Sequence, residues 1–259
     1  MRDLRISLVQ SMLHWEDAAA NREMFAHEIR SLAGNTDLIV LPEMFNTGFS
    51  MNSERLAETM DGPTVIWMRD QAESSRAAIY GSAIIRENGR YFNRGIFARP
   101  DGVLTHYDKR HLFRMAGEHQ HFAPGMERVV VNWQGWRILL QVCYDLRFPV
   151  FSRNRNDHDL MLYVANWPEV RRYAWSQLLI ARAIENRSYV AGVNRVGMDG
   201  NGIHYTGDSV VLDPKGAMVA AAEPATLAII NAVLDAEELQ AFRKKFPADL
   251  DADDFELKL

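Results

Sequence analysis

The chain has 259 residues, 47% hydrophobic and 24% charged, with a formal net charge of −5. That length fits one large domain or two small ones, and the apolar share is enough for a sizeable core. The acidic balance argues against a nucleic-acid partner, which needs a basic face, no apolar run approaches a membrane span, and the single cysteine, Cys143, excludes an internal disulfide and any multi-cysteine zinc site.

In chain order, the opening "MRDLRISLVQ" lacks the long apolar segment of a signal peptide, so a cytoplasmic protein is expected. "RISLVQ" (5–10) and "DLIVLPE" (37–43) concentrate Val, Ile and Leu in few residues and predict buried strands. Between them, Ala18, Met24, Phe25, Ile29 and Leu32 recur at helical spacing, predicting a helix over 17–33. A second helix is expected over 64–77. "AIYGSAIIRE" (78–87) and "RYFNRGIFARP" (90–100) flank Asn88-Gly89, a dipeptide that favours a tight hairpin because both positions tolerate positive φ. "RPDGV" (99–103) is a further turn signal. Strands are expected at 128–132, 137–143 and 160–166, then a long helix over 172–187. Further strands follow at 189–196, 209–213 and 227–233, with a short helix at 235–244. The stripe Leu178, Leu179, Ala183 on the long helix is expected to face core or a subunit interface. The tail over 245–259, ending "DLDADDFELKL", is acidic and reads as a solvated end. No internal repeat, linker or domain boundary stands out. A strand–helix–strand opening followed by hairpins predicts a mixed sheet layered with helices in one α/β domain.

Three reactive side chains each sit just past an apolar strand. Glu43 closes "DLIVLPE", Lys109 closes "VLTHYDK" and Cys143 closes "RILLQVC". Ligands in open α/β sheets collect outside the carboxyl ends of the strands. A thiol is a weak nucleophile until it loses its proton, and Glu43 is the candidate general base. Lys109 offers a fixed positive charge. A Lys–thiolate pair roughly 4 Å apart at an effective dielectric of about 20 gains about 4 kcal/mol, a shift of about three pK units toward the thiolate. The same charge suits a developing oxyanion, and the backbone N–H of Tyr144, where the chain turns past the nucleophile, is a second donor candidate. Singly, Cys143 reads as apolar filler, Glu43 as a cap or surface acid, and Lys109 as a solvated strand end; only the three together favour chemistry. A Cys–His hydrolase is the alternative within the same residues, with one of the eight histidines as base. His111, His119 and His121 cluster, and His-x-His is also a metal-ligand pattern. The sequence offers no obvious acidic partner set for them.

Taken in order, "LPEMFNTGFS", "YDKRHLF", "CYDLRFP", "NWP", "RAIENRSYVAGVNRVG" and "GDSVVLDPKG" resemble the successive landmarks of the nitrilase superfamily of carbon–nitrogen hydrolases, from residue 5 to about residue 233. "YDKRHLFRMAGE" and "YVANWP" are most similar to its omega-amidase branch. The resemblance implies a four-layer α-β-β-α sandwich in one carbon–nitrogen hydrolase domain over 1–259. It implies a Glu-Lys-Cys triad on Glu43, Lys109 and Cys143, and a second glutamate matched by Glu118 in "MAGEHQHF". It also implies amide hydrolysis through a cysteine thioester without metal or organic cofactor, a homodimer, and small dicarboxylate monoamides such as 2-oxoglutaramate and succinamate as substrates. A mechanism without metal implies in turn that His111, His119 and His121 line or flank the active-site loop. A carbamoyl-amine hydrolase, a nitrilase, or a non-catalytic binding protein on the same fold are the alternatives. A monoamide substrate carries a carboxylate at the end away from its amide. In "NWPEVRRYAW" (166–175), Arg171 is the candidate guanidinium for that group. Asn166 and Trp167 are expected as pocket wall, Arg172 as an exposed base, and Arg147 as half of a structural ion pair.

Overall fold

The computed structural model describes residues 1–257. Two six-stranded sheets lie face to face. In the first, β1 (Leu4–Gln10), β2 (Leu38–Val40) and β3 (Ala78–Glu87) run parallel. They are joined through α1 (Ala18–Leu32), the one-turn α2 (Ser53–Leu56) and α3 (Pro63–Ser75). Strands β4 (Arg90–Ala98) and β5 (Leu104–Asp108) return antiparallel. After the short α4 (Glu118–His121), the second sheet begins with β6 (Val130–Trp133), antiparallel to β7 (Trp136–Val142). Strands β7, β8 (Leu160–Ala165) and β9 (Tyr189–Asn194) run parallel, connected through α5 (Pro149–Ser152) and α6 (Arg172–Asn186). A ribbon of β10 (Val196–Met198) and β11 (His204–Thr206) leads to β12 (Val210–Leu212) and β13 (Met218–Ala221), which complete that sheet. β14 (Ala228–Leu234) crosses back to pair with β1, and α7 (Ala236–Lys245) follows.

The local reasons are those the residues supply. β2, β8 and β9 are wholly buried, as parallel strands covered on both faces must be, and so read as continuous apolar runs. In α1, Asn21, Phe25, Ile29 and Leu32 form the buried face, and Asp17 caps its start by accepting from Ala20 N at 3.0 Å. The hairpin between β3 and β4 turns at Asn88 (φ 50°) and Gly89 (φ 72°), which sets Glu87 opposite Arg90. Helices α1 and α3 pack on the outside of the first sheet, where Phe25, Val65 and Met68 meet Ile39 and Ile79. Trp175, Leu179 and Ala183 of α6 join the core around the second sheet. The stripe on α6 is thus core, with Leu178 half-buried against it. Tyr80 Oη donates to Gln141 O at 3.1 Å, sheet to sheet.

Two expectations change. Read as β14-β1-β2-β3-β4-β5 and β6-β7-β8-β9-β12-β13, both sheets pair antiparallel, parallel, parallel, antiparallel, antiparallel. This repeat of topology left no trace as repeated sequence, because a buried strand demands only apolar residues of suitable size. The acidic tail is not simply solvated either. Asp249 pairs with Arg187 at 2.6 Å, the Arg155 guanidinium lies 4.5 Å from the Phe255 ring centroid, and Leu257 packs against the core. The partners are cations distant in sequence, which charge runs cannot reveal.

Candidate active site

The carboxyl ends of strands in both sheets meet at one place. Glu43 follows β2, Lys109 is the first residue past β5, Cys143 the first past β7 and Asn166 the first past β8. Glu43 is held at a turn where Met44 (φ 41°) donates its N–H to Ser82 Oγ at 2.8 Å. Glu43 Oε1 accepts from Lys109 Nζ and from Asn93 Nδ2, both at 2.8 Å, and Oε2 accepts from Asn166 N at 2.8 Å. Glu118, on α4, accepts from the same ammonium at 3.0 and 2.9 Å, from Asn93 Nδ2 at 3.1 Å and from Phe113 N at 2.5 Å. Glu43, Lys109 and Glu118 are all buried, and Cys143 is 8% exposed, with Sγ 4.0 Å from Asn166 O.

The charges around Lys109 bear on the expected Lys–thiolate pair. Burial works against the Lys109 ammonium, but Glu118 and Glu43 outweigh it and hold the group above the usual lysine range. Burial raises the Glu118 carboxyl, helped by Glu43 and opposed by Lys109. Burial first, then Glu43, push the Cys143 thiol well above the ordinary cysteine range, and Lys109 only partly opposes them. One ammonium shared by two carboxylates offsets only part of what raises the thiol. These surroundings favour the protonated form of the Cys143 thiol, so a reaction that used it as nucleophile would have to remove its proton.

The turn carrying the nucleophile is unusual for a residue with a side chain. Cys143 sits at φ 46°, a left-handed conformation that persists only where surrounding contacts impose it. It opens a short 3-10 turn, Cys143–Arg147. Asp145 anchors that turn: Oδ2 accepts from Val142 N at 3.0 Å and Tyr107 Oη at 2.8 Å, and Oδ1 faces His111 N at 3.0 Å and His111 Nδ1 at 2.8 Å. The ring of His111 stacks on Phe148 at 3.8 Å, whereas His119 and His121 are exposed. Among the described residues, no group of three or more His, Cys, Asp or Glu side chains is gathered as a metal would require.

Above Cys143 and Lys109 opens a cavity walled by Phe49, Phe113, Tyr144, Trp167 and Tyr205 and including Asn166, Arg147 and Arg171. Trp167 is fixed through its N–H to Asn194 Oδ1 and its Nε1 to Arg171 O, both at 2.8 Å. Arg171 lies over the Phe113 ring at 5.2 Å; among the described residues it has no acid partner. Arg172 is turned away to Asp208 at 2.5 Å. Arg147, expected in an ion pair, has none among the described residues and instead lies 4.9 Å over Trp167. Sequence reasoning also missed Asn93 and Asp145. The signal for Asn93 was a polar residue inside the apolar strand "RYFNRGIFA", where burial obliges a partner.

The carbon–nitrogen hydrolase family profile matches residues 5–244. The chain belongs to that family. This carbon–nitrogen hydrolase is 52% identical to omega-amidase YafV of Yersinia enterocolitica over 98% of this chain and 99% of that one. It is 29% identical to 2-oxoglutaramate amidase of Bacillus subtilis, over 93% and 95% of the two chains. Its fold matches that of XC1258 from Xanthomonas campestris, a CN-hydrolase superfamily protein with an arsenic adduct in its active site, with a TM-score of 0.98, 51% identity and 100% coverage of both chains.

Proposed function

We propose that this carbon–nitrogen hydrolase is an omega-amidase that hydrolyses the terminal amide of small dicarboxylate monoamides, 2-oxoglutaramate and succinamate among them. The observation that carries the reading is a cavity with a thiol and an ammonium at its floor and, on its wall, a guanidinium without an acid partner among the described residues.

Cys143 Sγ attacks the amide carbon while Glu43 takes the thiol proton. The oxyanion is stabilised by Lys109 and by the N–H of Tyr144, which lies in the first turn of a 3-10 segment whose leading N–H groups lack partners within the segment. Glu43 returns the proton to the nitrogen, the C–N bond breaks and ammonia leaves, with Cys143 held as a thioester. A water, deprotonated by Glu43, attacks the thioester carbon; the C–S bond breaks, the acid departs, and the proton returns to sulfur. Glu118 keeps Lys109 charged and in place. Asn166 and Trp167 form pocket wall, and Arg171 takes the distal carboxylate in a bidentate pair. A reduced thiol fits a cytoplasmic setting, and a homodimer goes with this reading: light scattering at micromolar concentration is expected to give twice the chain mass, and a fully active monomer excludes it.

An ammonia-release screen over small amides tests the function; carbon dioxide release or nitrile consumption would point to a carbamoyl-amine hydrolase or a nitrilase. Within the screen, Arg171→Ala should lower kcat/KM for succinamate far more than for a neutral amide of equal length. A charged pair lost from a largely dry site costs on the order of 2–5 kcal/mol. An equal loss on both substrates removes Arg171 from the site.

A further inference from the structure

The two arginines of the cavity differ in how they are mounted. Arg147 ends the 3-10 turn that Cys143 opens, so its backbone is tied to the nucleophile. Arg171 ends a separate turn, Glu169–Arg171, and its guanidinium reaches Met115 Sδ at 3.8 Å, a residue that is 79% exposed and adjoins the lining residue Ala116. Each guanidinium is braced on an aromatic face, Arg147 on Trp167 and Arg171 on Phe113, which leaves the in-plane N–H donors free to point elsewhere. Trp167 joins the two mounts, since its ring lies under Arg147 and its Nε1 donates to Arg171 O. None of the cavity's lining residues is acidic, and Glu43 and Glu118 are committed to Lys109.

One substrate carboxylate saturates one fork. The second fork, partly desolvated and without a partner among the described residues, calls for a second acceptor. We propose that Arg147 binds a carbonyl oxygen adjacent to the carboxylate held by Arg171, so that the site selects 2-oxo acid monoamides over plain monoamides of the same length. This rests on the omega-amidase reading and adds a specificity-determining residue to it. The order along the cavity agrees with the chemistry: in a 2-oxo acid monoamide the oxo group is one carbon nearer the amide than the carboxylate is, and Arg147 is mounted on the same turn as Cys143 while Arg171 reaches the exposed Met115.

The test compares kcat/KM of the wild type, Arg147→Met, Arg147→Lys and Arg171→Met on 2-oxoglutaramate, glutaramate and pentanamide. All three have five carbons; they differ in carrying an oxo acid, a plain acid or neither. Each variant is expressed relative to wild type on the same substrate, which removes the substrates' own differences in reactivity. Arg147→Met is expected to lower the 2-oxoglutaramate value ~10- to 100-fold more than the glutaramate value, the worth of a hydrogen bond from a charged donor. Arg147→Lys loses the fork and should shift the same ratio in the same direction. Arg171→Met should lower both acids together relative to pentanamide. Equal losses on 2-oxoglutaramate and glutaramate with the Arg147 variants overturn the proposal while leaving the omega-amidase reading intact. A wild type that hydrolyses pentanamide as well as the two acids overturns that reading, and the proposal with it.

Discussion

A lone buried thiol is ordinary; a buried thiol beside two carboxylates and one ammonium is not. Burial first and then Glu43 raise the Cys143 thiol, and Lys109 lowers it. Removing the Glu43 charge should therefore bring the thiol down. Glu43→Gln is expected to abolish hydrolysis, because no base remains for the thiol proton, and yet to speed alkylation of Cys143 by iodoacetamide near neutral pH. Slower alkylation in that variant would mean that the residual Lys109–Glu118 pair, and not Glu43, governs the thiol. Cys143→Ala should leave no hydrolysis and no acyl adduct by mass spectrometry while remaining folded, since the side chain lost is small. Lys109→Ala should lose ~10²–10³-fold in turnover, as when one oxyanion donor is removed. Lys109→Arg should not restore it, because a planar fork does not fit between two carboxylates arranged around a compact ammonium. Near-normal turnover in either Lys109 variant would reduce the residue to a structural ion pair.

The element that makes Cys143 available is the turn after β7. Its left-handed backbone is a strained state worth about 1–3 kcal/mol, and the contacts that impose it converge on Asp145: the N–H of Val142 just before the nucleophile, the Tyr107 hydroxyl from β5, and two nitrogens of His111 beyond it. Asp145 thus fastens the ends of β5 and β7 together, which is also what sets Lys109 beside Cys143. Asp145→Asn exchanges one acceptor oxygen for a donor facing donors. It is expected to cost about 1–3 kcal/mol in urea unfolding and to lower kcat, because the nucleophile loses its orientation. A kcat that holds while stability falls would confine Asp145 to stability. The same element takes up His111, while His119 and His121 face solvent, so the three histidines close in sequence do not converge.

Across the whole molecule, the candidate active site and a network of charges around His158 and Asp159 lie at opposite ends of the second sheet. Cys143 and Asn166 follow the carboxyl ends of β7 and β8. His158 and Asp159 precede the start of β8, where Arg128 and Asp157 face His158 Nδ1, and Arg243 of α7 reaches His158 O at 2.7 Å and Asp159. Burial lowers His158 to about 4, opposed by the Asp157 pair. The unfolded chain therefore binds this proton first as the pH drops. The stability linked to His158 is complete above about 6.5, the ordinary histidine value, and is lost as pH falls from there toward 4, by up to about 3 kcal/mol. Asp157, held below the usual carboxylate range by its partners despite burial, acts in the same direction at still lower pH. Urea midpoints should fall between pH 6.5 and 4. His158→Asn should flatten that slope while keeping neutral-pH activity, since the residue is remote from the site. An unaltered slope would assign the acid sensitivity to other groups.

The sequence by itself determined the elements and the positions of the reactive groups. Apolar runs bounded by turn residues marked the central strands, Asn88-Gly89 set the β3–β4 register, and Glu43, Lys109 and Cys143 stood out because each ends a run. Strand ends are local facts, and the ordered landmarks around them marked the family. What only the tertiary structure decided are the relations between those groups. Asn166 N reaches Glu43 from 123 positions away, Asp145 reaches across to Tyr107 and His111, and Lys109 is shared by two acids, so that it offsets only part of what raises the thiol. Arg147, in sequence an ordinary candidate for an ion pair, stands over an indole in the cavity. Periodicity records which way a side chain faces its own sheet or helix. Which charge meets which is set when two sheets close on each other, and in a buried site that pairing decides whether a thiol, a carboxylate or a guanidinium is neutral, committed or free.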